Sequence, residues 1–595
     1  MIRHTSTLAA TKDLTMSTPE TLPELDPQYP EVDVAIVMES TYPYLKGGVS
    51  AVVHDILLGN PDLTFGIIHL TWDSKAPHED LYGMPDNVAW VKPVYLSMEE
   101  HQADFRDLRP SDLGMSARQR TVLSHRVFDA MDAIVAGDMD PFWALYDEGM
   151  NPHTRTYPLW ALLGSGEFMA ALRRRMPALD LPLTDLFWQM REFFSLAAAV
   201  LGADLPRASV YHAHTTGYAS LMSAAGARMH GTDFLLTEHN LYVRDTVNTR
   251  LDRNMALPVT ATDYRTFDVP LADRAWMAWW IEMGRLCYPS AHTITYLYPK
   301  AITEAADLGA PVERSVVIPN GMTMSEFNDV AGQRDRAMED ILAGDPDRTW
   351  RLVYIARVVP IKGLLDLIDT IDILVNERGV TNLVVDVLGP TEHLPDYYQQ
   401  CVDKIAAKGL GDYLVFRGTV NVRAMLGDFD LLVLPSYNEG QPIVVLEAMT
   451  AGIPTVGTEV GGMAQLIGDP LTRPGGQTWD ACGLLTVPGD AVMMADRLQD
   501  VFADRAGYVA MAHNARGRVR DFFQLHDVTG AYNQLYRELA HLPQRTAAQS
   551  SALADVVTEL AMSPAQQHDL EDQLERLARW LEAGAPMGVS HGEGS

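Results

Sequence analysis

Residues 430–449 read DLLVLPSYNEGQPIVVLEAM, and this stretch decides the fold. Its short apolar run predicts a buried strand over 430–434, and a helix is predicted to start after the loop, between Gly440 and Val444. The same strand–loop–helix unit recurs through both halves of the chain. Strands that alternate with helices predict parallel sheets that are covered by helices on both faces.

Two series of such strands are predicted, separated by a charged segment over 328–348 that contains Asp, Gly and Pro. The first series has predicted strands at 33–38, 64–70, 209–214, 234–239, 292–297 and 316–321. The second has predicted strands at 351–357, 383–388, 414–417, 430–434, 454–457 and 483–487. Because 595 residues exceed what one hydrophobic core holds, we expect an α/β protein with two Rossmann-like, doubly wound domains that face a cleft.

The remaining segments complete the predicted organisation. Within an N-terminal domain over 31–330, residues 71–185 are rich in Trp, Met, Pro and Arg and are interpreted as a helical insertion. The C-terminal domain is predicted over 345–525, followed by a helix over 526–545 that packs back on the N-terminal domain. The predicted flanks are a mobile N-terminal segment over 1–30 and an extension over 546–595, with an amphipathic helix near 564–583.

The composition restricts the partners. Acidic residues outnumber basic ones by 78 to 46, and the formal charge of -32 disfavours nucleic acid and anionic lipid as partners. No run approaches the roughly 20 apolar residues of a membrane span, and residues 276–281 (WMAWWI) are interpreted as part of a core or interface helix. The start of the chain lacks the apolar core of a secretory signal, and we therefore expect a cytoplasmic protein.

Cations and glycines follow two of the predicted strands. Since ligands of open parallel sheets bind beyond the carboxyl ends of the strands, these positions are candidates for a site. Arg357 ends a strand and Lys362 stands at a helix start, an arrangement that suits a diphosphate. Gly47 and Gly48 follow the first strand and let the backbone and a helix N-terminus approach a phosphate, although a plain tight turn explains them equally well.

Two glutamates and a histidine complete the candidates. Glu439 lies in the loop and Glu447 in the following helix, where a carboxylate can accept hydrogen bonds from ribose hydroxyls. As an alternative, both glutamates complete a helix dipole and a cap, but the nearby cations favour a ligand. His239 follows the strand over 234–238 and can position a sugar hydroxyl or share developing charge; His212 and His214, at the neighbouring strand end, are weaker candidates.

The Arg357…Lys362 pair and the Glu439-x7-Glu447 unit resemble the signature of family 4 glycosyltransferases, which have the GT-B fold and retain anomeric configuration. Shorter motifs resemble, within that family, the UDP-sugar-using enzymes of Pel exopolysaccharide synthesis: ESTYP at 39–43, GGVS at 47–50, HAH at 212–214, TEHN at 237–240 and EGQP at 439–442. The resemblance runs from about 31 to 540. Two departures are Asn438, where a serine is expected, and VGGMAQLI at 460–467, where a Cys-Arg-Glu type is expected.

The resemblance implies a role for each candidate. Arg357 and Lys362 would hold the diphosphate, Glu447 the ribose and Glu439 the donor sugar, with His239 at the reacting centre. The implied catalytic residues are His239, Glu439, Arg357 and Lys362. The implied nucleotide-sugar-binding residues are Gly47, Gly48, Arg357, Lys362, Glu439, Gly440, Gln441, Ile443, Val444 and Glu447.

The resemblance also implies the substrates and partners. Residues 31–330 would bind a glycan acceptor and residues 345–525 a UDP-sugar, which is a co-substrate and not a cofactor. No metal is expected, because the three Asp-x-Asp tripeptides, at 138–140, 345–347 and 428–430, lie away from the predicted cleft. Membrane proteins of a polysaccharide synthase complex are expected partners, and they would hold the enzyme at the inner membrane through protein contacts.

Other functions compete with this interpretation. A nucleotide-sugar epimerase can share the GT-B fold, and it would turn over the donor without an acceptor. A glycoside hydrolase also uses two carboxylates, but it needs neither the cation pair nor paired Rossmann domains. A non-catalytic scaffold of a polysaccharide synthesis complex is the third alternative, and the intact Arg357, Lys362, Glu439 and Glu447 argue against it.

Overall fold

The computed structural model describes residues 28–97, 99–101, 106–175, 197, 199–251, 269–345, 348–473 and 476–544. The predictions for residues 1–27, for the helix near 564–583 and for the extension over 546–595 lie outside the described residues.

The N-terminal domain is built on a seven-stranded sheet in the order β3-β2-β1-β4-β5-β6-β7. All neighbouring strands in it are parallel. In β1, for example, Val34 pairs with Phe65 of β2 on one side and with Val210 of β4 on the other. The strands are β1 (Val32–Glu39), β2 (Phe65–Thr71), β3 (Val88–Tyr95), β4 (Ala208–Ala213), β5 (Asp233–Glu238), β6 (Thr293–Tyr296) and β7 (Ser315–Val317).

One of these strands corrects the sequence analysis. The segment 71–185 is predicted to be a helical insertion, but it contains β3, which pairs in parallel with β2 at the edge of the sheet. Lys92 and Pro93 interrupt the apolar run of β3 and hide it in the sequence. Proline is tolerated there because an edge strand pairs on one side alone, so the missing N–H costs no ladder bond. The helical part of the segment begins after β3.

The C-terminal domain has a six-stranded parallel sheet in the order β10-β9-β8-β11-β12-β15. Every predicted strand overlaps an observed strand, and the predicted fold class of two Rossmann-like domains is confirmed. The strands are β8 (Trp350–Ile355), β9 (Leu383–Leu388), β10 (Leu414–Gly418), β11 (Leu431–Leu434), β12 (Thr455–Thr458) and β15 (Gly483–Thr486), with an antiparallel pair β13 (Leu471–Thr472) and β14 (Thr478–Trp479) beside them.

Helices cover both sheets, and their apolar faces form the cores. In the N-terminal half they are α1 (Gly48–Gly59), α2 (Ala117–Val135), α3 (Asp140–Gly149), α4 (Gly166–Arg175), α5 (Tyr218–His230), α6 (Tyr242–Arg250), α7 (Leu271–Ser290), α8 (Lys300–Ala306) and α9 (Asn328–Ala343). In the C-terminal half they are α10 (Leu364–Asp372), α11 (Pro395–Ala407), α12 (Val422–Met425), α13 (Ile443–Ala451), α14 (Ala491–Ala503), α15 (Arg505–Phe522) and α16 (Leu525–Leu539).

The last helix, α16, returns to the N-terminal domain. Its Val528, Tyr532 and Tyr536 share a buried core with residues of β1 and β2. The Tyr536 hydroxyl lies 2.7 Å from Nδ1 of His212 in β4. The chain crosses between the domains twice at adjacent points, since the Met322 N–H donates to the Phe523 carbonyl at 2.8 Å. These contacts hold the carboxyl ends of the two sheets close to each other.

Candidate functional site

A cavity of about 350 Å³ lies where the carboxyl ends of the two sheets face each other. Most of its wall consists of loops and helix starts that follow strands, as expected for open parallel sheets. From the N-terminal domain it is lined by Gly48, Val49, Val52, His239, Asn240, Leu297 and Asn320. From the C-terminal domain it is lined by Ile355, Ala356, Lys362, Leu434, Glu439, Gly440, Gln441, Pro442, Ile443 and Val444.

Two helix N-termini meet across this cavity. Helix α1 begins at Gly48 and α13 begins at Ile443, and a Cβ placed on Gly48 would lie 4.0 Å from the Ile443 side chain. The unpaired N–H groups at a helix start carry partial positive charge and bind phosphate. Gly47 immediately precedes α1 and lies outside the lining residues. The two helix starts therefore supply a positive field to one part of the cavity.

Lys362 and Glu439 form an ion pair in the wall. The Lys362 ammonium lies 2.6 Å from Oε1 of Glu439, and both side chains are mostly buried. Lys362 ends a tight turn, Pro360–Lys362, and Gly363 follows with a φ of 68°. A Cβ at Gly363 would overlap the carbonyl of Pro435, so glycine is required for the turn to lie against β11. The pair places one cation and one carboxylate side by side at the cavity.

The loop that carries Glu439 is docked on the N-terminal domain. A Cβ at Gly440 would overlap the carbonyl oxygen of His239, so the two backbones touch directly at this glycine. The Gln441 side-chain carbonyl accepts from the Asn320 N–H at 2.6 Å. Asn438, which departs from the family pattern, donates to Asp245 of α6 at 2.8 Å. The departure thus has a local reason, because this asparagine links the loop to the facing domain.

His239 is half-buried and lies near two fully buried histidines, His212 and His214. Its Nε2 lies 2.9 Å from Nδ1 of His214. Burial lowers the pKa of His239 to about 4 and that of His214 well below its ordinary value, so both rings are neutral at pH 7. His212 is bonded to the hydroxyls of Tyr536 and Thr237, both at 2.7 Å, and has a structural role. Of the two weaker candidates, His214 is hydrogen-bonded to His239 and His212 is not.

Arg357 and Glu447 do not line the cavity. Arg357 follows β8 with an exposed side chain that forms no ion pair with the described residues. Glu447 lies one turn after Ile443 on α13, and its Oε1 accepts from Nε of Arg423 at 2.9 Å. Arg423 also donates to Glu326 at 2.6 Å. The carboxylate implied for ribose is thus already oriented by Arg423, and Arg423, like Ile443, lines a smaller cavity of about 120 Å³.

Two carboxyl groups beside the cleft are not among the candidates from the sequence: Glu238, which is buried, and Glu39, which is half-buried. Glu39, at the end of β1, accepts from the Ala219 N–H at 2.6 Å, at the start of α5. Glu238, at the end of β5, accepts from the Tyr288 hydroxyl at 2.8 Å and from the Thr216 hydroxyl. Desolvation raises the pKa of each carboxyl to about 7. In the sequence both stand at strand ends and within the motifs ESTYP at 39–43 and TEHN at 237–240, but their burial and their partners come from the fold.

No group of three or more His, Cys, Asp or Glu residues that could hold a metal ion occurs in the part of the chain that the structure describes. Of the Asp-x-Asp tripeptides, Asp138 and Asp140 lie at the start of α3, and Asp430 pairs with Arg334 and Arg348 at the amino end of β11. Metal independence stays a prediction. Within the described ranges, no helix has the length and apolar character that crossing a membrane requires.

Two family models match the two halves of the chain separately. Residues 349–504 match the family described as "Glycosyl transferases group 1", and residues 32–313 match a "Domain of unknown function (DUF3492)". The D-inositol 3-phosphate glycosyltransferase of Arthrobacter sp. (strain FB24) is 30% identical over 219 residues, which are 36% of this chain and 48% of that protein. Its counterpart from Streptomyces avermitilis is 28% identical over 226 residues, covering 37% and 46%. The chain thus spans about half the length of these curated relatives.

Solved structures share the overall fold. Sucrose-phosphate synthase from Thermosynechococcus elongatus superimposes with a TM-score of 0.50 at 16% identity, covering 86% of this chain and 99% of that one. Anabaena HepE, solved in complex with UDP, superimposes with a TM-score of 0.50 at 14% identity, covering 86% and 100%. The architecture is therefore that of the GT-B glycosyltransferases. More particularly, residues 349–504 of the C-terminal domain resemble the group 1 glycosyltransferases.

Proposed function

We propose that the protein is a retaining glycosyltransferase that moves a hexose from a UDP-sugar, UDP-glucose or a related UDP-hexose, to a glycan acceptor. The observation that carries the proposal is the cavity of about 350 Å³ between the domains. Two helix N-termini, an ion-paired lysine and glutamate, and a neutral histidine converge there. This combination suits a diphosphate that is joined to a sugar.

The positive groups would neutralise the diphosphate. In a chain with a net charge of -32, an anionic ligand needs a local concentration of positive charge. The starts of α1 and α13 and the Lys362 ammonium supply it at the cavity wall. Arg357 follows the carboxyl end of β8 and forms no ion pair with the described residues. Its guanidinium can therefore bind further phosphate oxygens. Positive charge fixed in these positions also stabilises the leaving UDP.

The sugar would lie between Glu439 and His239, which line the same cavity from opposite domains. In the proposed reaction the bond from the anomeric carbon to the phosphate oxygen breaks, and a bond from that carbon to the acceptor oxygen forms on the same face. The leaving phosphate takes the acceptor proton, and UDP is released. Because His239 is neutral at pH 7, it orients groups and stabilises developing charge by hydrogen bonding.

The acceptor and the partners follow from the resemblance to PelF, the UDP-sugar-using enzyme of Pel exopolysaccharide synthesis. On that basis we propose a growing exopolysaccharide as the acceptor and a cytoplasmic enzyme recruited to membrane proteins of a polysaccharide synthase complex. The helices of the 71–185 segment, α2 to α4, are additional to the two sheets and offer a surface for such contacts. Membrane pull-downs in which deletion of these helices leaves recovery unchanged would speak against this surface.

The test is turnover of a panel of UDP-sugars by the full chain, with and without a glycan acceptor. We expect one UDP-hexose to release UDP with acceptor-dependent transfer. Glu439→Gln should abolish it, whereas Glu377→Gln, at an exposed glutamate outside the cleft, should not. Conversion of the donor to its epimer without acceptor would favour an epimerase. No turnover of any donor by the well-folded chain would favour a scaffold.

A further inference from the structure

The histidine pair at the cleft has a defined geometry. His214 and His239 each follow a strand, and these strands, β4 and β5, are parallel neighbours. Nδ1 of His214 lies 2.9 Å from Nε2 of His239, and the two ring planes differ by 20°. The ring centroids lie 5.2 Å apart, close to the longest separation that this nitrogen–nitrogen contact permits, so a proton between the nitrogens lies nearly in the plane of both rings. This is the geometry of a strong hydrogen bond.

A single proton lies between the two rings. The nitrogen that carries it determines whether Nδ1 of His239 is a hydrogen-bond donor or a base. Burial keeps both imidazoles neutral, and a neutral imidazole carries a single N–H. If His214 donates from Nδ1, the proton of His239 is on its own Nδ1. If His239 donates from Nε2 instead, its Nδ1 has only a lone pair. The first arrangement makes Nδ1 of His239 a donor, and the second makes it a base.

The second nitrogen of His214 distinguishes these arrangements. Its Nε2 is buried and has no hydrogen-bond partner among the described residues. When His214 donates from Nδ1, this Nε2 carries only a lone pair. When His239 donates instead, the Nε2 of His214 carries an N–H that finds no acceptor among the described residues. Buried N–H groups without an acceptor are rare in native structures and destabilising, more so than an unused lone pair.

We propose that His214 is a positioning residue that fixes His239 as the Nδ1–H tautomer, so that His239 presents a hydrogen-bond donor to the cavity. The inference rests on the proposed function, which assigns this cavity to the donor sugar and its diphosphate. His239 lines that cavity, and its Nδ1 has no partner among the described residues. A donor at this place stabilises an oxygen that gains negative charge in the transition state. It does not accept the acceptor's proton, which passes to the leaving phosphate.

The kinetic test uses two replacements of His214 that are isosteric with each other. In His214→Asn the amide can still donate near the position of Nδ1. In His214→Asp, assayed well above pH 7 so that the buried carboxyl is ionised, the carboxylate can only accept and so draws the proton of His239 to Nε2. We expect His214→Asp to lower kcat by about 10²-fold and His214→Asn to retain kcat within about tenfold of the unchanged enzyme. UDP affinity should stay the same in both. Equal kcat values for the two variants, or the higher value for His214→Asp, would overturn the inference.

Nitrogen NMR on the ¹⁵N-histidine-labelled full chain tests the tautomer without any turnover. The ring whose signals vanish in His239→Ala is assigned to His239. We expect its Nδ1 to be protonated and its Nε2 to be bare, and the reverse pattern contradicts the inference whatever the activity. If no UDP-sugar is turned over but this pattern is found, the proposed function fails and the positioning role of His214 stands.

Discussion

The wall of the cleft that the C-terminal domain contributes carries charge, whereas the wall from the N-terminal domain carries buried groups whose charge is suppressed. On the C-terminal side, Lys362 and Glu439 form an ion pair beside the start of α13. On the N-terminal side, His239 is neutral, and burial raises the pKa of Glu238, the buried residue immediately behind it, to about 7. In both cases burial disfavours the charged form. A diphosphate needs fixed charge, whereas sugar hydroxyls need hydrogen bonds.

This difference explains why the two sides are unequally visible in the sequence. Charged residues at strand ends stand out in the second half, where Arg357, Lys362, Glu439 and Glu447 suggest an anionic ligand on their own. In the first half the titratable groups depend on burial for their properties, and burial is a property of the folded chain. The following changes test whether the two walls differ as described.

The largest effect is expected for Lys362→Ala. It removes the one side-chain cation among the described residues that line the cavity, and it leaves Glu439 without its partner. We expect kcat/KM with the best donor to fall by about 10²-fold or more, since fixed positive charge stabilises the leaving diphosphate. Steady-state kinetics measures this, with Lys300→Ala, at an exposed lysine of α8, as the matched control. Near-normal turnover in the Lys362 variant contradicts the assignment.

A different signature is expected for His239→Ala on the opposite wall. A neutral histidine that acts by hydrogen bonding contributes to transfer and little to the binding of the nucleotide. We expect kcat to fall by about 10²-fold while UDP affinity stays unchanged. Calorimetry with UDP and transfer assays measure the two quantities, and His513→Ala, at an exposed residue of α15, is the control. If UDP affinity and kcat fell to the same degree, the N-terminal wall would contribute to nucleotide binding as the C-terminal wall does.

Glu447→Gln tests the ribose contact that the resemblance implies. If its carboxylate binds ribose hydroxyls, the loss of charge should weaken UDP by about tenfold, the difference between a charged and a neutral hydrogen bond. The analogue of UDP that lacks both ribose hydroxyls should bind the unchanged and variant chains equally. If the unchanged chain and the Glu447→Gln variant bind UDP equally well, Glu447 serves only to hold Arg423, which it contacts at 2.9 Å.

A smaller effect on stability is expected from Glu238. Burial raises its pKa from the ordinary 4.5 to about 7, so its contribution to stability is fully present below about pH 4.5 and is lost as the pH rises through 7. Glu238→Gln keeps an acceptor for the Tyr288 hydroxyl and removes this titration. We expect Tm to decline less between pH 5 and 8 in the variant, by about 2–4 °C. Identical pH profiles in thermal unfolding would show that Glu238 is not desolvated.

No effect at all is expected from chelation. Lys362, Arg357 and the helix starts are predicted to neutralise the diphosphate without a metal ion. Turnover should therefore be the same with EDTA as with added magnesium. Complete loss of turnover with EDTA, restored by a divalent cation, would mean that these groups need a metal ion to neutralise the diphosphate.

The sequence alone determined the two parallel sheets and the charged candidates, because these depend on local patterns. Apolar runs that alternate with amphipathic stretches mark strands and helices, and ligands bind where such strands end. Among the described strands of the two parallel sheets, β3 alone was not predicted, since Lys92 and Pro93 break its apolar run. Lys362, Glu439 and the 440–444 segment were found in this way, and the structure brings them to one cavity.

The tertiary structure alone decided which side chains meet. His214 bonds to His239, Arg423 to Glu447 and Tyr536 to His212, the last pair 324 residues apart in the chain. Such contacts arise from the order of the strands, the return of α16 and the closeness of the two domains, none of which a local pattern encodes. The neutral state of His239 likewise comes from burial, because desolvation depends on everything that surrounds a group and not on its neighbours in sequence.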